Sequence, residues 1–464
     1  MEEEYINNEL IERFERMLEE KQQLYFETEE FYEIIAYYLD VGDLPYSKKA
    51  IEYALDMYPT STEIQIKKLE YLLAINRLKL AAELIEDLKI VGENDIDFVI
   101  CLAKFWSLKN VPKKAIHFYE KALEFGEDLE YIYNCMGNEY LNLKETSQAL
   151  YHFKKALELD LDDEFAFYSC IQCFDDLHLN QECTEFILQY IDLRPYSENA
   201  WAQLGSEYVT LKNYEEAHRA FDYATLINPK SILAYTQKAL CLEKLEDYEG
   251  AIEVYEETLE LDDSAAYSYL NIGNCFMKLG KPFKALKAYH QSIHEDPQLD
   301  QSWVATSDLY ESLGNYEEAL YYLNRGIDLD DSNYEYWKRR AYLHVLLVRF
   351  EEASLDYYRL IELEPNNFYN WIGLSETLMT IGDYQKAIDA VYKGLKHFNR
   401  AELYYQLSTC YYLLGEEEMG KQSFKKASEM NASLQVEMFK KYPILNTKFN
   451  TLGSKRSIKK KGEF

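Results

Sequence analysis

The amino-acid sequence predicts an all-α protein, an α-solenoid of stacked helical hairpins. Its apolar and small residues recur with a period of 34 residues over about 400 residues, which is typical of repeat architectures. One position in every period holds a small residue, as the close crossing of two helices requires. With only 17 glycines and 9 prolines in 464 residues, the chain has little material for long loops. Long helices joined by short turns are therefore expected.

The period is clearest in the 34 residues from Glu198 to Ser231. Aromatic, apolar, small and proline residues occupy eight marked positions of this segment. At positions 4, 7, 8, 11, 20, 24, 27 and 32 they are Trp201, Leu204, Gly205, Tyr208, Ala217, Phe221, Ala224 and Pro229. This pattern resembles the tetratricopeptide repeat, and the resemblance implies a right-handed superhelix of helical hairpins.

Stepping along the chain by this period predicts twelve repeats. No step between neighbouring repeats departs from 34 residues by more than one. The repeats are expected to begin at Thr28, Glu63, Ile96, Glu130, Glu164, Glu198, Ile232, Ala266, Asp300, Tyr334, Phe368 and Ala401.

Position 20 supports this register, because it holds a small residue in all twelve repeats. The expected residues are Ser47, Ala82, Ala115, Ala149, Cys183, Ala217, Ala251, Ala285, Ala319, Ala353, Ala387 and Gly420. Position 15, between the two helices, is glycine in five repeats, as a tight turn favours. Position 32 is proline in five repeats, since proline cannot continue a helix.

Both ends of the array are expected to be capped, because terminal repeats otherwise expose an apolar face. The first cap is an amphipathic helix over residues 8–26, with Leu10, Ile11 and Phe14 on one face. The predicted segments are an N-terminal capping helix in 1–27, twelve repeats in 28–433, a C-terminal capping helix and extension in 434–450, and a basic disordered tail in 451–464.

The second cap is predicted to be a short helix over residues 434–442. Val436 and Phe439 are expected to provide its apolar contacts, and Pro443 is expected to stop it.

The chain is strongly acidic, with a formal net charge of -33. Its last fourteen residues are basic, so the rest of the chain is more acidic still. Such a body repels phosphate backbones, so no nucleic-acid partner is expected. It favours neutral to basic protein or peptide ligands and resists self-association, which predicts a monomer or weak oligomer. The sequence lacks a secretory signal and a membrane-length apolar stretch, so a cytoplasmic protein without membrane contact is expected.

No motif predicts catalysis, a cofactor or a metal. Cys170 and Cys173 form a C-x-x-C pair, but no second pair completes a zinc site, and buried thiols are the favoured interpretation. His290 and His294 lie four residues apart on a helix without an evident third ligand, so we interpret them as surface histidines. The tryptophans fall at packing positions of the hairpins. The sequence therefore predicts no enzyme.

The resemblance implies that positions 2, 5, 6, 9, 12 and 13 of each first helix line a concave groove. Polar residues at these positions form the candidate peptide-binding site: Asn134, Asn138, Gln172, Gln203, Ser206, Gln237, Asn271, Asn274 and Asp308. Position 6 holds an amide in three consecutive repeats, and amides can both donate to and accept from an extended peptide. This resembles the asparagine ladder of the O-linked glycosyltransferase superhelix. Ordinary solvation of an exposed helix face is the alternative.

The carboxylate clamp of chaperone-binding tetratricopeptide domains is not matched. Lysine at position 5 occurs only at Lys67 and Lys338, where position 9 is tyrosine rather than asparagine.

Three consecutive basic residues, Lys338 to Arg340, either bind an acidic group of a partner or form ion pairs within the chain, and we favour ion pairs within the chain.

The sequence thus predicts a non-catalytic scaffold or adaptor that binds extended peptide segments in its groove. A peptide-responsive regulator and a non-catalytic subunit of an enzyme complex are the alternatives.

Overall fold

The computed structural model describes residues 2–20, 24–92, 94–261 and 265–449. The predicted basic tail, 451–464, lies outside these residues. The described residues form helices and contain no strand, so the all-α fold class is confirmed. The chain divides into two compact units, Met1–Leu193 and Arg194–Phe464.

The first unit holds an N-terminal helix followed by five hairpins. Its helices are α1 (Glu2–Glu20), α2 (Thr28–Asp40), α3 (Leu44–Met57), α4 (Thr62–Ala74), α5 (Leu78–Leu88), α6 (Ile96–Leu108), α7 (Pro112–Leu123), α8 (Leu129–Asn142), α9 (Thr146–Leu159), α10 (Glu164–Asp176) and α11 (Asn180–Leu193).

The second unit holds seven hairpins and a C-terminal segment. Its helices are α12 (Glu198–Thr210), α13 (Tyr214–Ile227), α14 (Ile232–Lys244), α15 (Tyr248–Thr258), α16 (Ala266–Lys278), α17 (Pro282–Glu295), α18 (Asp300–Ser312), α19 (Tyr316–Leu329), α20 (Tyr334–Leu346), α21 (Phe350–Leu363), α22 (Phe368–Ile381), α23 (Tyr384–His397), α24 (Ala401–Leu414), α25 (Glu417–Met430) and α26 (Gln435–Lys441). A 3₁₀ turn, Ala432–Leu434, precedes α26, and residues 443–449 are also helical.

The even-numbered helices from α2 to α24 are the first helices of the twelve hairpins. Ten of them begin at the residue that the 34-residue spacing predicts, and α4 and α8 begin one residue earlier. In each hairpin the second helix packs against the first. The predicted series of about twelve tandem hairpins is confirmed.

Position 20 is where the two helices of a hairpin cross most closely. Ala149, Ala217 and Ala285 are fully buried there, in agreement with the prediction. The prediction is wrong by one residue in the second repeat, because Ala81 is fully buried whereas Ala82 is half-buried. The second repeat therefore begins at Thr62, and its helix crossing falls 34 residues after Ser47.

The turn inside each hairpin contains one residue in the left-handed conformation. These residues have φ between 55° and 91° and recur every 34 residues from 42 to 382, with the last at 415. Five are the glycines of position 15. The other seven, which sequence reasoning did not predict, are Asn76, Asn110, Lys144, His178, Lys212, Glu246 and Val348.

Tryptophan at position 4 joins neighbouring hairpins. The indole N–H of Trp201 donates to the carbonyl of Pro195 at 2.9 Å, and that of Trp303 donates to the carbonyl of Pro297 at 3.0 Å. Trp337 and Trp371 make the same bond to the residue six positions earlier. The packing interpretation of these tryptophans is confirmed, since each indole holds the loop that precedes its helix.

The N-terminal helix covers the first hairpin. Leu10, Ile11 and Phe14 are buried as predicted, together with Met17. The described part of the helix reaches Glu20, and residues 24–27 are not helical, so the predicted end at residue 26 is wrong; Phe26 is buried.

The C-terminal segment folds onto the last hairpins. Met438, Tyr442 and Leu445 are buried, and the ring of Phe449 stacks on Phe424 with centroids 3.6 Å apart. Val436 is 67% exposed, so its predicted apolar contact is wrong. Pro443 ends α26 as expected, and the chain then forms a second short helical stretch, residues 443–449.

Candidate functional site

The first-helix face comprises positions 2, 5, 6, 9, 12 and 13 of the first helices. The nine candidate residues all lie on these helices. Asn134, Asn138 and Gln172 belong to the first unit, and the other six belong to the second unit.

In the first unit, two of the three candidates are accessible. Asn138 and Gln172 are exposed. Asn134 is only 9% exposed, and its amide donates to the carboxylate of Asp163, the N-cap of α10, at 2.5 Å. Asn134 therefore connects α8 to the following hairpin, and its amide group is not available to a ligand.

A network of charged and phenolic side chains lies on the same unit. Lys67 contacts Glu70 at 3.2 Å and Asp97 at 3.3 Å, and the hydroxyl of Tyr32 donates to Asp97 at 2.7 Å. Burial alone would lower the pKa of Lys67, but Glu70 and Asp97 raise it above its ordinary value. Lys67 is thus a buried cation neutralised internally, unlike an open lysine that could bind a carboxylate.

In the second unit, three amides occupy equivalent places on successive first helices. Gln203 lies on α12, Gln237 on α14 and Asn271 on α16, and each is half-buried. Within residues 194–261 and 265–449, no hydrogen bond or ion pair to another side chain engages them. Each can therefore offer a donor and an acceptor to a ligand.

The remaining candidates of this unit are engaged by the protein. The hydroxyl of Ser206 donates to the carbonyl of Ala202 at 3.0 Å, and the carbonyl oxygen of Asn274 accepts from Tyr289 at 2.9 Å. Asp308 is exposed and pairs with Arg339 on the next first helix. Because these three residues already bond within the protein, they have fewer polar groups to offer to a ligand.

The three consecutive basic residues of α20 all lie in ion pairs within the chain, which confirms internal pairing. Lys338 contacts Glu335 at 3.1 Å, and Arg339 contacts Asp308. Arg340 contacts the buried carboxylate of Asp356 at 2.8 Å.

A polar cluster that sequence reasoning missed lies at the end of this face. The hydroxyl of Tyr442 donates to Glu376 at 2.6 Å and accepts from the amide of Gln406 at 3.1 Å. Lys441 contacts Glu376 at 2.5 Å. Gln406 occupies position 6 of the last repeat. The C-terminal segment therefore covers this position, whereas position 6 of the sixth repeat, Gln203, is not covered. The amide at position 6 of the last repeat was the only feature of the sequence that could have indicated this cluster.

The C-x-x-C pair and the histidine pair are placed as the sequence suggested. Cys170 and Cys173 are buried, and burial, with a smaller effect from Asp176, raises the pKa of the Cys173 thiol to about 11. Neither thiol is therefore a reactive thiolate near neutral pH. His290 is exposed and stacks on Tyr322, with its Nε2 3.0 Å from the phenolic oxygen.

Over the described ranges, no group of three or more histidine, cysteine, aspartate or glutamate side chains is arranged to hold a metal ion. In that same part of the chain, no helix combines the length and the apolar character needed to cross a membrane.

Comparisons with known proteins point to one repeat family. Residues 203–269, 270–334 and 304–369 match one model of the tetratricopeptide repeat, and residues 401–434 match another. Anaphase-promoting complex subunit 3 of Schizosaccharomyces pombe is 23% identical over 141 residues. That match covers 30% of this chain and 21% of the yeast protein, so the chain spans about a fifth of this curated relative.

Two solved structures are among those to which the chain is similar. The C-terminal part of a repeat-containing protein from Cytophaga hutchinsonii is 15% identical, with a TM-score of 0.41, over 50% of this chain and 95% of that one. YrrB, described as a TPR protein with an unusual peptide-binding site, is 21% identical, with a TM-score of 0.32, over 39% of this chain and 92% of that one. Residues 203–369 and 401–434 are therefore tetratricopeptide repeats, and the other helical hairpins of the described residues share their 34-residue spacing.

Proposed function

We propose that this chain is a non-catalytic scaffold that binds extended, neutral to basic peptide segments on its first-helix face. Tetratricopeptide repeat domains bind protein or peptide partners, and the described part of the chain forms twelve helical hairpins with the same spacing. The observation that carries the proposal is the row of three unengaged amides at position 6, Gln203, Gln237 and Asn271.

The spacing of these amides suits an extended ligand. They lie at the same position of three successive first helices, so they face one side of the second unit in order. An extended peptide presents N–H and C=O groups along its length, and an amide side chain can satisfy either group. The surrounding charge is acidic, with Glu243 on α14, and Asp308 and Glu311 on α18, which favours a peptide without carboxylates.

Replacing Gln203, Gln237 and Asn271 together by alanine should weaken peptide binding at least about tenfold, because each lost hydrogen bond contributes roughly 0.5–1.5 kcal/mol. The measurement uses 12-residue peptides selected from a random phage-displayed library on the full chain, with affinities from fluorescence anisotropy. The melting temperature should stay unchanged, since the three amides support no other side chain.

The matched control replaces three exposed glutamines of the same unit that lie off the first-helix face: Gln298, Gln385 and Gln422. This control variant should bind the selected peptides as the wild type does. Equal affinities for the wild type and the first-helix variant would show that the amides do not bind the peptide.

A second candidate function is that of a non-catalytic subunit of a larger complex. It is favoured by the 141-residue similarity to Anaphase-promoting complex subunit 3, whose name places that protein in a complex. If it is correct, the tagged chain from its native cell should elute from gel filtration well above the mass of one chain. Elution at the position of the purified recombinant chain contradicts this function.

A further inference from the structure

A cleft of about 670 Å³ opens on the first-helix face of the second unit, between α18 and α20. Seven of its eight lining residues come from these two first helices, and the eighth comes from α21. They are Asp308, Glu311, Ser312, Glu335, Lys338, Arg339, Tyr342 and Tyr357. The cleft therefore lies on the same face as the amides, between the first and the second hairpin after that of Asn271.

The lining of this cleft carries more negative than positive charge, with three carboxylates and two basic side chains. Arg339 is paired with Asp308, so it neutralises the nearest carboxylate. Lys338 contacts Glu335 on its own helix, and both side chains are 58% exposed, so water largely screens that pair. The net charge that an incoming group meets is negative.

Glu311 is the carboxylate of the cleft lining that belongs to neither of these two ion pairs. It is half-buried, and burial together with the charge of Asp308 raises its pKa, while Arg339 offsets only part of the rise. Asp308 keeps only 46% of its side chain in solvent, and this partial desolvation raises its pKa as well, although its bond to Arg339 lowers it in part. A cation placed beside Glu311 would relieve this repulsion.

An aromatic side chain lies beside these charges. Tyr342 is 52% exposed at position 9 of its repeat, and Tyr357 is half-buried at the base of the cleft. A phenol ring attracts an ammonium or guanidinium group that lies over its face. The cleft thus combines a carboxylate with an accessible aromatic ring, which together suit a long basic side chain.

We propose that this cleft is a subsite for one lysine or arginine side chain of a peptide bound to the first-helix face. The proposal rests on the proposed function and specifies it further. The basic group would donate to the carboxylate of Glu311, and its aliphatic stem would lie along Tyr342. A carboxylate of the peptide would instead meet Glu311 and Glu335, so an acidic side chain is excluded from this place.

The experiment uses the peptides selected on the full chain from the same phage-displayed library. The peptides should share a lysine or arginine, and its replacement by glutamine should lower the affinity roughly tenfold, the size expected for a hydrogen bond to a charged group. In the Glu311→Gln variant, replacing the basic residue of the peptide by glutamine should leave the affinity almost unchanged, because the bond to the Glu311 carboxylate is already absent. Glu318→Gln, an exposed carboxylate on α19, is the matched control and should retain the full effect.

Two results would overturn the cleft proposal while leaving the proposed function intact. One is that the selected peptides share no basic residue although the triple amide variant still loses their binding. The other is that the effect of replacing the basic residue is as large in Glu311→Gln as in the wild type. Selection that yields no binding peptide overturns both proposals.

Discussion

Replacing Asp356 by alanine is expected to lower the free energy of unfolding by about 3–5 kcal/mol, the usual cost of removing one partner from a buried ion pair. Asp356 is 1% exposed. One of its oxygens accepts from two nitrogens of Arg340, at 2.8 and 3.0 Å, and the other lies 2.8 Å from Nδ1 of His344. Arg340 also donates to Asn324 of α19 and is only 20% exposed, so the loss of the carboxylate leaves a largely buried charge without its partner.

The loss can be measured by urea denaturation followed by circular dichroism, with hydrogen exchange to locate it in α20 and α21. The matched control is Glu317→Ala, which breaks the exposed pair with Arg349 and should cost less than about 1 kcal/mol. A similar loss in the two variants contradicts the prediction. A variant that replaces Asp356, Arg340 and His344 together by leucine, methionine and phenylalanine should recover most of the stability, because no unpaired charge remains buried.

A second large effect is expected from Gly273→Ala, which should destabilise the chain by about 1–3 kcal/mol. The added Cβ would lie 2.3 Å from Cε1 and 2.5 Å from Cδ1 of Tyr289. The ring of Tyr289 is 3% exposed, and its hydroxyl donates to Asn274, so the ring cannot move away without losing that bond. The change should appear as a lower melting temperature in thermal denaturation.

The double variant Gly273→Ala/Tyr289→Leu tests whether the contact with the ring is the cause. In the next repeat, Ser307 and Leu323 occupy the same two positions, so a side chain at position 8 is compatible with leucine at position 24. The double variant should therefore lose less stability than the sum of the two single variants. Additive losses would falsify the steric explanation.

The sequence predicted the parts of the fold that depend on repeated local packing. Alanine recurs at position 20 because the two helices of a hairpin cross closely there, and tryptophan recurs at position 4 in four repeats, where it anchors the preceding loop. The error at Ala82 has a physical reason, since Ala81 and Ala82 are both small and only the turn at Asn76 decides which one is buried. A spacing rule cannot distinguish two adjacent alanines.

The candidate site was less predictable, because a position on the first-helix face does not determine what a side chain contacts. Asn134 and Gln203 both occupy the face, but Asp163 engages only Asn134. The contact of Tyr442 with Glu376 joins residues 66 positions apart, at the end of α26. Such a contact depends on where a non-repeating segment folds, and the repeat pattern contains no information about it.

The left-handed residue in every hairpin turn has a consequence for the mechanics of the array. Seven turns hold a residue with a side chain in this conformation, and the β-branched Val348, at φ 59°, is the least suited of them. Strain of this kind is of the order of 1–3 kcal/mol per residue. Because the turn residue belongs to neither helix, a substitution there changes the strain of one turn and leaves the side chains of the first-helix face as they are. The conformational strain of each hairpin turn can therefore be adjusted on its own.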